Sequence, residues 1–149
     1  MKPVDTIDSV LRFKGRQVWS IAPGATVYEA IEKMSEKGVG ALLVLSEGRL
    51  TGIISERDYA RKVILRDRSS KQTQVREIMT STVITARLDS TVEDCMRVMT
   101  ENRIRHLPVL DRERVVGVVS IGDMVNWTIT AQEETIGHLQ NYITGRYPG

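Results

Sequence analysis

The chain has 149 residues, with 21 Lys and Arg against 19 Asp and Glu spread along its length, so it offers no dense basic stripe for nucleic acid. Its single cysteine, Cys95, excludes an internal disulfide and a cysteine-rich metal site. No apolar run of about 18 residues and no signal-peptide core occur, which predicts a cytoplasmic protein without a membrane partner.

Taken in order, Asp5 to Phe13 predicts a short helix, because Ile7, Val10 and Leu11 share a face and Gly15 offers a stop. Val18 to Ile21 alternates like a strand. Pro23-Gly24 then turns the chain into a helix capped by Thr26, with Glu29 three residues on and a buried stripe of Val27, Ala30, Ile31 and Met34. Gly38 ends that helix. Ala41 to Leu45 and Leu50 to Ile54 read as paired strands around the Glu47-Gly48 turn, and a second helix is expected from Glu56 to about Leu65. Arg66 to Gln74 has almost nothing apolar and reads as a solvated linker. Beyond it, Val83 to Thr85 predicts a strand, and Thr91 caps a helix with the stripe Val92, Cys95, Met96 and Met99, which gives Cys95 a packing role. Leu107 to Leu110 and Val115 to Val119 predict a second strand pair. Pro108 lies within it, where its missing N–H should face an edge or a ligand cavity. From Ile121 a helical face continues through Ile129, Ile136, Leu139 and Ile143.

The second half repeats the first. Over Val18 to Ala60 against Val83 to Val125, without a gap, 12 of 43 positions are identical, so the chain holds two copies of one strand-helix-strand-strand-helix unit. The copies end alike, in Gly52-Ile-Ile-Ser-Glu-Arg-Asp58 and Gly117-Val-Val-Ser-Ile-Gly-Asp123. Each brings Ser and Asp to the start of a helix, where they either form a capping box or hold a hydroxyl-rich or anionic ligand at the free N–H groups. The expected organisation is an N-terminal helical segment over 1–17, a first unit over 18–66, a linker over 67–77, a second unit over 78–128 and a C-terminal helical extension over 129–149.

The repeat, Thr-Val at each helix start, Arg105-His-Leu-Pro-Val109 before the second strand pair, and Gly-x-x-Ser-x-x-Asp twice resemble a tandem pair of cystathionine β-synthase-type (CBS) domains, the Bateman module. The resemblance covers Val18 to about Thr128. It implies a mixed α/β (α+β) fold, in which the repeats pack by their sheets about a pseudo-twofold axis and the extra terminal helices pack on each other or on a second subunit. It also implies two clefts that take adenosine-containing ligands, with Asp58 and Asp123 holding the ribose beside Ser55 and Ser120. The Asp58 cleft would use Val83, Thr85 and Ile104, Arg105 and His106; the Asp123 cleft would use Val18, Ser20, Val39, Gly40 and Ala41. Pro108 is counted with the ligand-binding segment. Arg105 and His106 would meet phosphate, and Arg57 and Arg61 are either further phosphate ligands or solvated helix residues. Arg103 reads as a solvated helix end. His106 reads equally as a partly buried structural histidine; as a phosphate donor it should strengthen nucleotide binding as pH falls through about 6.5.

Three functions compete on this reading. A regulatory module would bind AMP, ADP, ATP or NAD, need no metal, form a homodimer and signal to an effector protein in trans. A purely structural dimer would use its Ser-x-x-Asp boxes as caps alone. A nucleotide-processing enzyme is disfavoured, because the sequence offers no metal-ligand cluster, no Ser/His/Asp arrangement and no Gly-rich phosphate loop.

Overall fold

The structure is a computed structural model and describes residues 5–131; the helical face expected at Ile136, Leu139 and Ile143 lies outside them. The chain runs α1 (Ile7–Lys14), β1 (Ser20–Ile21), α2 (Val27–Lys37), β2 (Ala41–Ser46), β3 (Arg49–Ser55), α3 (Glu56–Lys62), a 3-10 turn (Ile64–Arg66), α4 (Val75–Ile78), β4 (Ala86–Arg87), α5 (Val92–Asn102), β5 (His106–Asp111) and β6 (Arg114–Ser120). A last helix, α6, covers 121–131. The strands form two three-stranded sheets, ordered β1-β2-β3 and β4-β5-β6. In each sheet the first pair is parallel and the second antiparallel.

Each unit buries one sheet face under its own helix. Leu42 and Val44 share a core with Val27, Ala30 and Met34 of α2, and Leu107 and Val109 share one with Val92, Cys95 and Met99 of α5. The alternate residue points the other way, as strand geometry requires. Leu43 and Ile53 of the first sheet line the same cleft as His106 and Val118 of the second, so the two sheets face each other.

The helix caps follow the sequence reading. Thr26 and Glu29 form a reciprocal capping box, and Gly38 ends α2 in the left-handed region at φ 65°. Ser55 with Asp58 does the same for α3.

The leading helices depart from expectation. Helix α1 packs Ile7, Val10 and Leu11 into the core of the second unit, and α4 packs Val75 and Ile78 into that of the first. Their docking is equivalent: Ile7 N–H donates to Ser90 O at 2.8 Å and Val92 N–H to Asp5 O at 3.0 Å, as Val75 N–H donates to Ala25 O and Val27 N–H to Thr73 O, both at 2.8 Å. The units therefore exchange their leading helices. Gly117 and Gly52 make room for the exchange, since a Cβ at Gly117 would meet Leu11 Cδ2 at 2.8 Å and one at Gly52 would meet Met79 Sδ at 2.6 Å. Helix α1 is thus held by the second unit of its own chain, and its Phe13 also meets Trp127 of α6 edge-on, ring centroids 5.6 Å apart.

Three further expectations change. The segment expected as solvated linker is largely exposed, as read, but it is pinned at two points: Thr73 is buried and its Oγ1 donates to Ser69 O at 2.7 Å, while Tyr28 N–H donates to Ser70 O. The helix expected to reach Leu65 ends at Lys62, because Val63 at φ −117° breaks the α geometry and a 3-10 turn follows. The strand expected at Val83 to Thr85 forms instead at Ala86–Arg87. Strand β1 likewise starts at Ser20 and not at the expected Val18, and Pro108 accounts for the one further residue, Thr85, that β4 lacks. In the first unit Leu43 N–H donates to Trp19 O at 3.2 Å and opens the parallel pairing; at the matching position Pro108 has no N–H to give.

Candidate functional site

Two clefts open where the units meet. The first, about 340 Å³, lies at the start of α3 and runs to the segment before β5; its walls include Ser55, Arg57, Asp58, Arg61, Ile104, Arg105 and His106. The second, about 260 Å³, lies at the start of α6 and includes Val39, Gly40, Ala41, Ser120 and Asp123.

Each cleft is built around the strand-to-helix junction that the repeat delivers. Asp58 Oδ2 accepts from Ser55 N–H at 2.9 Å and from Ser55 Oγ at 3.1 Å; its Oδ1 faces Lys62 Nζ at 3.2 Å. Asp123 Oδ2 accepts from Ser120 N–H at 2.8 Å and from Lys14 Nζ at 2.6 Å. Capping therefore orients both carboxylates without enclosing them, since both belong to cleft walls. The two readings of the Ser-x-x-Asp motif describe one geometry.

The lysines come from unrelated places. Lys62 belongs to the same helix as Asp58 and also donates to Ile78 O at 2.8 Å. In the second unit the matching residue is Trp127, and the cation is supplied by Lys14 at the end of α1, which also donates to Val118 O at 2.9 Å. The exchange of leading helices thus completes the second cleft. Nothing local in the sequence connects Lys14 to Asp123.

Gly40, Ile53 and His106 line both clefts and form their common wall. A Cβ at Gly40 would meet His106 Cε1 at 3.7 Å, so the imidazole sits against the first unit's backbone. Burial pushes the His106 pKa below 6.5; Asp123 opposes that shift, and Lys14 and Arg105 add to it.

Of the residues expected at the sites, Val83 also lines the first cleft, together with Thr80, Thr82, Ile84, Lys62 and Arg103, which the sequence reading did not assign. Thr82, Val83 and Ile84 precede β4 and stay outside the sheet, as residues 17–19 precede β1 in the first unit. Thr85 is exposed and outside that lining, and Pro108 is buried in β5 away from both clefts. In the second cleft Trp19, Gln17 and Lys14 stand where Val18 and Ser20 were expected. The Ser20 carbonyl accepts from Lys33 Nζ instead. Trp19 also carries Lys37 Nζ over its ring at 4.4 Å. Among the described residues no group of three or more His, Cys, Asp or Glu could hold a metal ion, and no helix is long and apolar enough to cross a membrane.

Two units of one α/β design, set face to face with a cleft at each Ser-x-x-Asp junction, define a paired-repeat module. The CBS domain family matches residues 13–65 and 75–129, and the chain belongs to that family. The mitochondrial CBS domain-containing protein CBSX3 of Arabidopsis thaliana is 41% identical over 152 residues, which span 95% of this chain and 73% of that one. A solved structure described as a signal-transduction protein with CBS domains, from Burkholderia ambifaria MC40-6, is 46% identical and superposes with a TM-score of 0.83 over 85% of this chain and 96% of its own. The CBS domain pair of protein MJ0100, solved with 5'-methylthioadenosine and S-adenosyl-L-methionine, is 27% identical, with a TM-score of 0.77 over 87% of this chain and 99% of that one.

Proposed function

We propose that this CBS pair is a regulatory module that binds adenosine-containing nucleotides in its two clefts and passes the resulting conformational change to an effector protein in trans, without catalysis. The observation that carries this reading is the pair of carboxylates, Asp58 and Asp123, each fixed by its own serine at a helix start and each part of a cleft wall. A carboxylate held in this way can accept two hydrogen bonds from a vicinal diol, a contact that selects ribose. The adenosyl ligands in the MJ0100 pair support the choice of ligand class. AMP, ADP, ATP and NAD all present that diol, and the module requires no metal to hold it. A homodimer and a cytoplasmic location belong to the same proposal.

Calorimetry with adenosine and AMP tests it. The variants Asp58→Asn and Asp123→Asn each keep an acceptor oxygen for the helix cap and lose the charge that a diol needs. Each should weaken one site by about 1.5–3 kcal/mol, roughly tenfold to a hundredfold, and leave the other site unchanged. Unaltered binding in both variants would reduce the motif to helix capping.

A further inference from the structure

The two clefts are alike in fold and unlike in charge: the first carries an excess of cations and the second is balanced. Five cationic side chains line the first: Arg57, Arg61, Lys62, Arg103 and Arg105. At the matching positions of the other unit stand Gly122, Asn126, Trp127, Gly38 and Gly40, so not one of the five is repeated. Two acids share the first cleft, Glu56 and Asp58, and Lys62 pairs with Asp58. Arg57 reaches across to the second unit, where its Nη1 donates to Arg103 O at 3.2 Å. The guanidinium groups of Arg61, Arg103 and Arg105 have no ion-pair partner among the described residues. They come from both units, Arg61 from α3 and the other two from the end of α5 and the segment before β5. Arg103 holds a left-handed backbone at φ 54°, where the first unit has Gly38.

In the second cleft the lysine is bound to Asp123, and the remaining basic group is His106, whose charged form burial disfavours. We infer that the clefts sort ligands by charge: the first favours a nucleoside carrying two or more phosphates, and the second favours an adenosine ligand with little or no charge. One phosphate brings a charge of about −1.5 to −2, less than three unpaired guanidiniums can meet, whereas a diphosphate or triphosphate can engage all three through forked hydrogen bonds. A phosphate in the second cleft would meet no unpaired guanidinium and would lie near the Asp123 carboxylate. This inference rests on the nucleotide reading of the clefts.

The test uses the full chain and the protein's own repeat as a guide to tolerated substitutions. Arg61→Asn, Arg103→Gly and Arg105→Gly each install the residue that the other unit already carries at that place, and circular dichroism checks that each variant is folded. With the second site weakened by Asp123→Asn, affinity at the first should climb from adenosine through AMP to ADP and ATP by at least tenfold, and the climb should shrink in each arginine variant while adenosine binding holds. With the first site disabled by Asp58→Asn together with the three arginine substitutions, affinity should be flat or fall along the same series. Inorganic tripolyphosphate separates the two readings. If it binds the wild type and not the arginine variants while no nucleoside binds, the charge assignment stands and the adenosine reading falls. If nucleosides bind but AMP and ATP bind equally at the first site, or the arginine variants change nothing, nucleotide binding stands and the charge assignment is overturned.

Discussion

His106 stands where the two clefts meet, and its protonation is tied to stability in a definite direction. Burial lowers its folded-state pKa below 6.5, so between that depressed value and the unfolded value near 6.5 the unfolded chain binds more protons. The contribution of the neutral, buried imidazole is full above about pH 6.5 and is lost as pH falls toward the folded pKa. Thermal melts should show the midpoint dropping on acidification below pH 6.5 in the wild type and dropping less in His106→Gln. An identical profile in both proteins would remove His106 as the cause. The same shift moves the acid strengthening of nucleotide binding expected from the sequence to lower pH than 6.5. Asp58 and Asp123 were legible because each lies at a fixed place in a repeat. The environment of His106 was not, since Asp123, Lys14 and Arg105 gather around it from distant parts of the chain. Cys95 was read as a packing residue from helical spacing alone; it is buried, and burial raises its thiol pKa to about 11, which leaves little thiolate to react at neutral pH.

At the scale of elements, capping and hydrophobic periodicity are local signals, and they gave the starts of α2, α3 and α5 within a residue. The partner of α1 was hidden, because amphipathic spacing says that a face is buried and not what buries it. Without the unit's own sheet to follow, a helix that docks on the far copy looks like an appendage. The start of β4 at Ala86 rather than Thr85 was hidden for a related reason: it depends on a hydrogen bond that Pro108, more than twenty residues further on, cannot make. The exchanged helices give a prediction that separates the two copies. At Gly52 an added Cβ meets Met79 Sδ at 2.6 Å and the Thr80 carbonyl at 2.9 Å, whereas at Gly117 its three nearest neighbours all belong to the Leu11 side chain, the first at 2.8 Å. A side chain can turn away; a carbonyl at residue 80, bridged to Ile53 on both sides, cannot. Denaturant unfolding should place Gly52→Ala at the upper end of the overpacking range of about 1–3 kcal/mol and Gly117→Ala at the lower end. The reverse order would mean that the docking of α4 is the softer of the two. Because Thr80 lines the first cleft, Gly52→Ala should also disturb ligand binding there, and Gly117→Ala should not.

At the scale of the whole molecule, the pseudo-twofold relation extends to surfaces that neither cleft uses. Ile64 follows α3 and Ile129 lies on α6 at matching places in the repeat; they are 56% and 47% exposed. Leu65, 77% exposed, and Val125, 43% exposed, extend the same two regions. Single exposed apolar residues are ordinary, but Ile64 and Ile129 recur at one repeat position, each with a further exposed apolar residue in its unit, and mark a surface that a second copy can cover. Two pseudo-equivalent patches on one chain suit an isologous pairing, in which each copy offers the same surface and the contact closes on itself. That is the arrangement expected of the proposed homodimer. Light scattering at micromolar concentration should return a mass of twice 16.8 kDa. Leu65→Asp combined with Ile129→Asp should return the monomer mass, because each new carboxylate would have to be desolvated at the contact. The charged variant should keep its helical circular dichroism signal and its nucleotide titrations, since neither residue lines a cleft. A wild type that stays monomeric with and without nucleotide would rule out the pairing. A variant that stays dimeric would move the interface to another face.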